Sequence, residues 1–151
     1  MNTAAGKNLS ASLEDYLEAI LQISKKTKVA RSRDIAEKLA VVRPSVTAAL
    51  KTLKKKKLIN YRPYGYITLT DAGRAAAVDI DSRHRILTSF FASILGVNSR
   101  TAQKGACKAE HVLGQEIINR LLKFIEFVGS RTDEGCNLAV QFQKFCSGKK
   151  L

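Results

Sequence analysis

The sequence lacks the features that mark several large protein classes. No apolar run approaches the roughly 18 residues that a membrane-spanning helix needs. The opening MNTAAGKNLSAS has no charged start followed by an apolar stretch, so it does not predict a secretory signal. There is no glycine-rich phosphate loop and no internal repeat. We therefore expect a cytoplasmic protein with no membrane partner, no small-molecule substrate and no enzymatic activity.

Cysteine is scarce, and its number is odd. Three cysteines in a chain without an export signal argue against a disulfide framework and favour free thiols or metal ligands. The length of 151 residues suits one compact domain, or two small domains that share a dimer interface. A hydrophobic content of 45% and a mean hydropathy of -0.12 are typical of a globular protein with an adequate core.

Acidic residues are few, and the resulting positive charge is concentrated. The chain has 26 Lys and Arg against 13 Asp and Glu, a net charge of +13. Residues 25–62 hold 13 basic and two acidic side chains, a local net charge of +11. Such a segment favours a polyanionic partner such as DNA, because each neutralised phosphate releases counterions. Anionic lipid and a merely solvated surface are the alternatives that charge alone leaves open.

Apolar spacing in the N-terminal half predicts a winged helix-turn-helix. Residues 12–24 show helical periodicity, a short helix opens at Ser32, and a third begins near Pro44. The stretch 59–70, INYRPYGYITLT, has two β-prone runs around a Pro-Tyr-Gly turn. Two short helices joined by a tight turn and followed by a hairpin are typical of a module that binds duplex DNA.

The predicted DNA contacts follow from the geometry of that motif. The second helix of the pair enters the major groove with its first residues nearest the bases, and the wing touches the backbone. At these positions an arginine can hydrogen-bond to guanine, hydroxyl groups can contact bases or phosphates, and lysines can contact phosphates. A helix cap for the serine and a solvated helix end for the lysines are the structural alternatives. The predicted contacts are Arg43, Pro44, Ser45, Thr47, Ala48, Lys51, Lys54, Arg62 and Tyr64.

The C-terminal half is predicted to be helical throughout. We expect helices over residues 71–96 and 101–114, another that ends at Val128, and a short terminal helix near residues 136–146. These helices carry more apolar surface than they can bury against each other, which predicts a homodimer interface.

A cluster of possible metal ligands lies in the stretch AQKGACKAEHVLGQEI. On a helix, Cys107, Glu110 and His111 point to one side, within reach of one ion, and His84 on the preceding helix is placed to complete the cluster. Each residue alone has an ordinary structural interpretation, as a small core thiol or a hydrogen-bonded interior group. The pattern by itself leaves metal binding and polar packing both open.

Two carboxylates on the first predicted helix add a second candidate group. Asp15 and Glu18 are three residues apart and therefore share one face of the helix. A capping acid and a surface charge explain the pair as well as a ligand role does. Spacing alone leaves this choice open.

The order of these segments resembles the metal-dependent repressors of the diphtheria toxin repressor and manganese transport regulator family. The similarity covers about residues 9–128 and is carried by SLEDYLEAI, DIAEKLAVVRPSVTAALKTL, YGYITLTDAGR, RHRIL and CKAEHVL. It implies a mainly α fold with an N-terminal winged helix-turn-helix and a two-stranded wing (residues 1–73), then an all-helical dimerisation domain that binds metal (residues 74–151). The positions that match family ligands are Asp15, Glu18, His84, Cys107, Glu110 and His111.

The resemblance also implies which parts of the family pattern are absent. Cys107 follows the iron-type pattern, whereas Asp15, Glu18 and His84 follow the manganese type, so the site is a hybrid. Thr88 and Gln103 replace the glutamate and histidine of the iron-type ancillary site. The chain corresponds to the two-domain form, without the SH3-like domain of longer members.

The function implied is repression of metal-uptake genes on a double-stranded operator, with a divalent transition metal as corepressor. One thiolate among carboxylates and imidazoles favours Fe(II), then Mn(II), with Co(II), Ni(II) or Zn(II) able to bind in vitro. The alternative function is a metal-independent winged-helix DNA-binding protein with a structural Cys/Glu/His cluster. An enzyme with Cys107 as nucleophile and His111 as base lacks an orienting group or oxyanion loop.

Overall fold

The computed structural model describes residues 9–63, 65–130 and 137–148. Its contacts divide the chain into two units, Met1–Asp81 and Ser82–Leu151. Among the described residues, no helix is both long and apolar enough to cross a bilayer. The elements in chain order are α1 (Ala11–Thr27), α2 (Ser32–Leu39), α3 (Arg43–Lys55), β1 (Ile59–Tyr61), β2 (Ile67–Leu69), α4 (Asp71–Ser89), a π-helical turn (Phe90–Ile94), α5 (Ser99–Ala109), α6 (Gln115–Ser130) and α7 (Leu138–Cys146).

The first unit is the predicted winged helix-turn-helix. The Ser10 side chain caps α1 by accepting a hydrogen bond from the Leu13 amide at 3.4 Å. One core joins α1, α2, α3, the two strands and the first turns of α4. Its completely buried side chains recur at helical spacing in α1 and α3, which explains why the apolar pattern predicted these helices; they include Leu17, Ile20, Leu50 and Leu53.

The turn between α2 and α3 depends on a left-handed residue. Ala40 has φ 53° and ψ 42°, and the Val41 amide donates to the Ala36 carbonyl at 3.0 Å. A non-glycine residue in this region costs about 1 to 2 kcal/mol. Arg43 and Pro44 then open α3, where proline loses no hydrogen bond because the first helical amides have no partner within the helix.

The predicted wing is confirmed as an antiparallel pair. Ile59 lies opposite Leu69 and Tyr61 opposite Ile67, and these four side chains are buried, as the alternation predicted. Ala30 exchanges two main-chain hydrogen bonds with Ile67, of 3.0 and 2.8 Å. The segment just before α2 is therefore hydrogen-bonded to β2 of the wing.

Gly73 allows α4 to begin close to the wing. The Thr70 hydroxyl accepts from the Gly73 amide at 3.1 Å and donates to the Lys57 carbonyl at 2.8 Å. A Cβ on Gly73 would overlap the main-chain carbonyl of Leu58. Only glycine therefore fits this approach of helix to strand.

The regular elements in the described part of the second unit are all helices, as predicted, but their ends differ from the prediction. The helix predicted over residues 71–96 is α-helical only to Ser89 and then widens into the π-helical turn, where the Leu95 amide donates to the Phe90 carbonyl at 3.1 Å. Gln143 of α7 donates to the Ser93 carbonyl at 3.0 Å, and Gly96 ends the segment at φ 69°. This distant side chain satisfies a carbonyl that the wider turn leaves without a helical partner.

The helix predicted over residues 101–114 begins and ends earlier than expected. Asn98 caps it by accepting from the Thr101 amide at 3.0 Å, so α5 starts at Ser99. It ends at Ala109, and the following turn carries the chain to α6. The small core of this unit centres on Leu87, Ala106 and Ile118.

Candidate metal centre and nucleic-acid interface

Glu110 is the centre of the candidate metal site, and its side chain is completely buried. It caps the end of α5, where its amide donates to the Ala106 carbonyl at 2.9 Å. One carboxylate oxygen, Oε2, lies 2.7 Å from Nδ1 of His84. The other, Oε1, is buried without a hydrogen-bond partner among the described residues. A buried carboxylate oxygen left in this state costs a few kcal/mol unless a cation or donor compensates it.

Two further donors lie near the Glu110 carboxylate. Cys107 Sγ, a Glu110 carboxylate oxygen and a His111 ring nitrogen all lie within 4.8 Å of one another. Nε2 of His111 is 3.7 Å from Oε1, which is too long for a hydrogen bond. His111 is half-buried and Cys107 is exposed. A thiol, a carboxylate and an imidazole converge here, and such a donor set fits a divalent transition metal.

His84 and Arg83 hold Glu110 from α4. With its proton on Nδ1, His84 donates to the carboxylate and keeps Nε2 as the ligand-type nitrogen, a common arrangement at metal sites. Arg83 Nη1 donates to the main-chain carbonyl of Glu110 at 2.8 Å. The sequence indicated His84 because imidazole is a common metal ligand, whereas it did not indicate Arg83, whose partner is a main-chain carbonyl that any residue carries.

Asp15 and Glu18 lie on α1 in the first unit, and both are half-buried. Gln22 Nε2 donates to Glu18 Oε1 at 2.7 Å, which orients that carboxylate. The neighbouring Tyr16 is buried, and burial raises the pKa of its hydroxyl above the ordinary value, with the charge of Asp15 raising it further. Tyr16 is therefore a neutral core residue at physiological pH.

Other predicted positions lie apart from the donor cluster. Thr88 and Gln103 line one cavity of about 720 Å³ together with His84 in the second unit, and neither supplies a carboxylate or an imidazole. The Thr88 hydroxyl is buried and lacks a hydrogen bond among the described residues. Cys146 ends α7 and is an exposed free thiol. Cys136 lies outside the described residues.

The predicted DNA contacts lie on the exposed side of α3 and on the wing. Thr47 is half-buried, and its hydroxyl donates to the Arg43 carbonyl at 3.2 Å. Tyr64 lies outside the described residues. The remaining predicted contacts are all exposed: Arg43, Pro44, Ser45, Ala48, Lys51, Lys54 and Arg62.

A basic groove of about 620 Å³ borders these contacts in the first unit. The described residues of its lining include four basic side chains and no acidic one; they are Arg31, Ser32, Arg33, Arg43, Thr47, Lys51, Tyr61, Pro63, Gly65 and Tyr66. Arg31 donates to the Tyr66 hydroxyl at 3.1 Å, and its guanidinium carbon lies 5.0 Å from the centre of that ring. Arg31, Arg33 and Tyr66 line this groove but are not among the DNA contacts predicted from the sequence. The basic segment 25–62 contains both arginines, but their proximity to the wing depends on the fold.

Comparison with known proteins identifies the two halves. The family model "Iron dependent repressor, N-terminal DNA binding domain" matches residues 8–67, and "Iron dependent repressor, metal binding and dimerisation domain" matches residues 70–136. An uncharacterised HTH-type transcriptional regulator of Methanocaldococcus jannaschii is 38% identical over 119 residues, which cover 78% of this chain and 95% of that protein.

More distant relatives connect the chain to named repressors. The diphtheria toxin repressor of Corynebacterium efficiens is 27% identical over 122 residues, which cover 81% of this chain and 53% of the relative. The structure of a manganese-dependent transcriptional repressor in complex with manganese has a TM-score of 0.70 and 26% identity, covering 76% of this chain and 53% of that one. The chain thus spans about half the length of these two relatives.

These matches confirm the winged-helix fold and the resemblance drawn from the sequence. They also supply what the motif alone could not, namely a regulator class whose second domain binds metal and dimerises. The chain belongs to the family of iron-dependent repressors, which are metal-dependent, DNA-binding transcriptional regulators.

Proposed function

We propose that this protein represses metal-uptake genes by binding operator DNA as a homodimer when a divalent metal is bound at Glu110. The observation that carries the proposal is the buried carboxylate next to a thiol and an imidazole, with one oxygen that has no hydrogen bond within the described part of the chain. When bound, a divalent cation supplies the positive charge that this oxygen lacks. Packing alone does not account for a buried acid in this state, because the unsatisfied oxygen destabilises the fold.

The proposed ligands come from both units of the chain. Glu110 is the central ligand, with Cys107 and His111 beside it, and His84 orients the carboxylate and offers its second nitrogen. Asp15 and Glu18 are proposed as the carboxylate ligands of the first unit. Support for these two comes from family membership and from the preference of Fe(II) and Mn(II) for oxygen and nitrogen donors.

Ligation from both units gives a physical route from metal to DNA. Without compensation, the carboxylates and any thiolate repel one another, and this repulsion disfavours their approach. Shared ligation restricts the separations that the two DNA-binding units of a dimer adopt. Two recognition helices enter successive major grooves only when they lie about 34 Å apart, so such a restriction favours the DNA-bound state.

We propose Fe(II) as the preferred metal, followed by Mn(II). Cys107 is the reason, because a thiolate moves preference away from Mn(II) towards Fe(II) and the later metals. Co(II), Ni(II) and Zn(II) are expected to bind in vitro, and metal availability in the cell selects among them.

The DNA surface is proposed to combine base reading by α3 with phosphate binding in the basic groove. Arg43 at the start of α3 is the proposed guanine reader, with Ser45, Thr47 and Ala48 contacting neighbouring bases. Lys51, Lys54 and Arg62 bind phosphates. The four basic side chains in the groove lining, with no acidic side chain among the lining residues that the structure describes, support this assignment.

Fluorescence anisotropy on labelled duplex from the protein's own promoter tests the proposal. Under anaerobic conditions, the dissociation constant is measured with chelator and after addition of Fe(II) or Mn(II). We expect metal to tighten binding at least ten-fold, a coupling of about 1.4 kcal/mol. Cys107→Ser and Cys146→Ser make the same chemical change inside and outside the cluster, so only the first should weaken the metal response. Equal affinity in chelator and metal would instead indicate a metal-independent DNA-binding protein.

A further inference from the structure

Arg83 and His84 are consecutive residues of α4, and both contact Glu110 at the end of α5. Arg83 Nη1 donates to the Glu110 carbonyl at 2.8 Å, and His84 Nδ1 lies 2.7 Å from the Glu110 carboxylate. One residue thus fixes the main chain at position 110 while the next fixes the side chain. All three residues belong to the second unit.

The carbonyl that Arg83 binds lies at the C-terminal end of α5. Glu110 is the cap residue of that helix, so its carbonyl has no amide partner within the helix. A cationic donor at this end is also favoured by the helix dipole. Arg83 is half-buried, and a guanidinium holds such a bond with less loss of freedom than a lysine would.

The position of this bond matters because position 110 lies between the side chains that form the donor cluster. Cys107 is one turn before it on α5 and His111 follows it directly. Rotation or fraying of the chain at Glu110 would therefore displace Glu110 and His111 relative to Cys107, which lies within the helix. At metal sites, loss of a group that orients ligands commonly lowers metal affinity by 10- to 100-fold.

We infer that Arg83 is a positioning residue of the metal centre, which presents Cys107, Glu110 and His111 by holding the end of α5. The inference relies on the proposed metal centre and adds a residue that binds no metal itself. It also makes the arginine side chain, and not only the ligands, a determinant of affinity and coordination geometry.

Co(II) is a suitable probe because its visible spectrum reports coordination geometry and its near-ultraviolet charge-transfer band reports a thiolate ligand. We would titrate the full-length wild type, Arg83→Ala, Arg83→Lys and Arg85→Ala with Co(II) under anaerobic conditions. Arg85 is an exposed arginine of the same helix and serves as the matched control. Thermal unfolding of each metal-free protein separates loss of folding from loss of affinity.

We expect the Co(II) dissociation constant to rise 10- to 100-fold in Arg83→Ala, with an altered visible spectrum, and to stay unchanged in Arg85→Ala. Arg83→Lys keeps a cationic donor and should lose less affinity than Arg83→Ala. If the alanine variant does not fold, the lysine variant provides the test. Wild-type affinity and spectrum in folded Arg83→Ala, or in Arg83→Lys if alanine fails to fold, would overturn the inference while leaving the proposed function intact. Absence of Co(II) binding by the wild type would overturn both.

Discussion

Replacement of Glu110 by glutamine separates a metal-binding role from a packing role. Glutamine has nearly the same shape as glutamate and keeps one oxygen that can accept a hydrogen bond from His84. It removes the negative charge and replaces the other oxygen with an NH2 group, which is a donor and a poor metal ligand. In the wild type, Oε2 is hydrogen-bonded to His84, and Oε1 has no hydrogen bond to any residue that the structure describes. Both oxygens lie in a side chain with no exposed surface. The substitution therefore acts at a site where solvent cannot compensate the change.

In the metal-free protein, two effects of this substitution oppose each other. A hydrogen bond to a charged group contributes about 1.5 to 3 kcal/mol and a neutral one about 1 kcal/mol, so the bond with His84 weakens by roughly 1 kcal/mol. Removing a buried charge with an unsatisfied oxygen recovers a similar amount. We expect the metal-free Glu110→Gln protein to match wild-type stability to within about 1 kcal/mol.

With metal, the two effects no longer cancel. At a metal concentration 100 times the wild-type dissociation constant, binding stabilises the folded protein by about 2.7 kcal/mol. If the lost carboxylate weakens binding 100-fold, this stabilisation falls to about 0.4 kcal/mol. For a chain of this size the wild type should gain about 5 to 10 °C in melting temperature, and the variant about 1 °C.

Differential scanning fluorimetry with and without Mn(II) measures the melting temperature of each metal-free protein and the shift in that temperature when metal binds. A variant that loses stability without metal and keeps the full metal-induced shift would show that Glu110 serves packing and not ligation. That result would refute the reasoning from the buried carboxylate oxygen.

Four further outcomes are expected. Gly73→Ala should destabilise the protein by about 2 kcal/mol or more, because a Cβ overlaps the main chain at Leu58. In Gly129→Ala, in α6, the added Cβ has no described atom within 4 Å and should stabilise the protein by about 0.5 to 1 kcal/mol; chemical denaturation measures both changes. Lys51→Ala should lower the slope of log affinity against log salt by about 0.9 on any duplex, and an unchanged slope would remove this phosphate contact. Arg43→Ala should cost about 1 to 3 kcal/mol on operator DNA and much less on a scrambled duplex, as measured by anisotropy. Metal affinity should fall as pH drops from about 8 to 6, because thiol and imidazole must lose protons to ligate, and a flat titration would contradict ligation by Cys107.

Sequence periodicity predicted the fold of the first unit because its decisive interactions are local. The buried positions of α1 and α3 recur every three or four residues, and the wing strands alternate. The turns also carry local signals, with Pro44 at the start of α3. The position of Ala40 was not predictable in the same way, because a left-handed conformation in a residue other than glycine leaves no trace in the sequence.

Helix ends in the second unit depend on distant contacts, and the sequence missed them for that reason. In the π-helical turn after Ser89, the Ser93 carbonyl accepts a hydrogen bond from the side chain of Gln143, which lies 50 residues further along the chain. A periodic apolar pattern continues through such a turn, so it indicates a helix without locating the change in its winding.

The candidate metal centre likewise has some features that the sequence predicted and some that it did not. The spacing of Cys107, Glu110 and His111 within one helical turn was visible in the sequence, and the structure brings their ligand atoms together. The complete burial of Glu110 and its bond to Arg83 were not visible, because both depend on packing between α4 and α5. Burial of the carboxylate is the feature on which the proposed metal centre rests, and the bond to Arg83 is the one on which the proposed positioning role rests.

Metal titration with and without DNA tests the central claim, that the centre at Glu110 is thermodynamically coupled to the DNA surface. The Co(II) or Mn(II) dissociation constant is measured on the free protein and again with saturating promoter duplex. Linkage requires that DNA tighten metal binding by the same factor by which metal tightens DNA binding. We predict at least a ten-fold tightening that disappears in Glu110→Gln. An identical metal affinity with and without DNA would contradict the account.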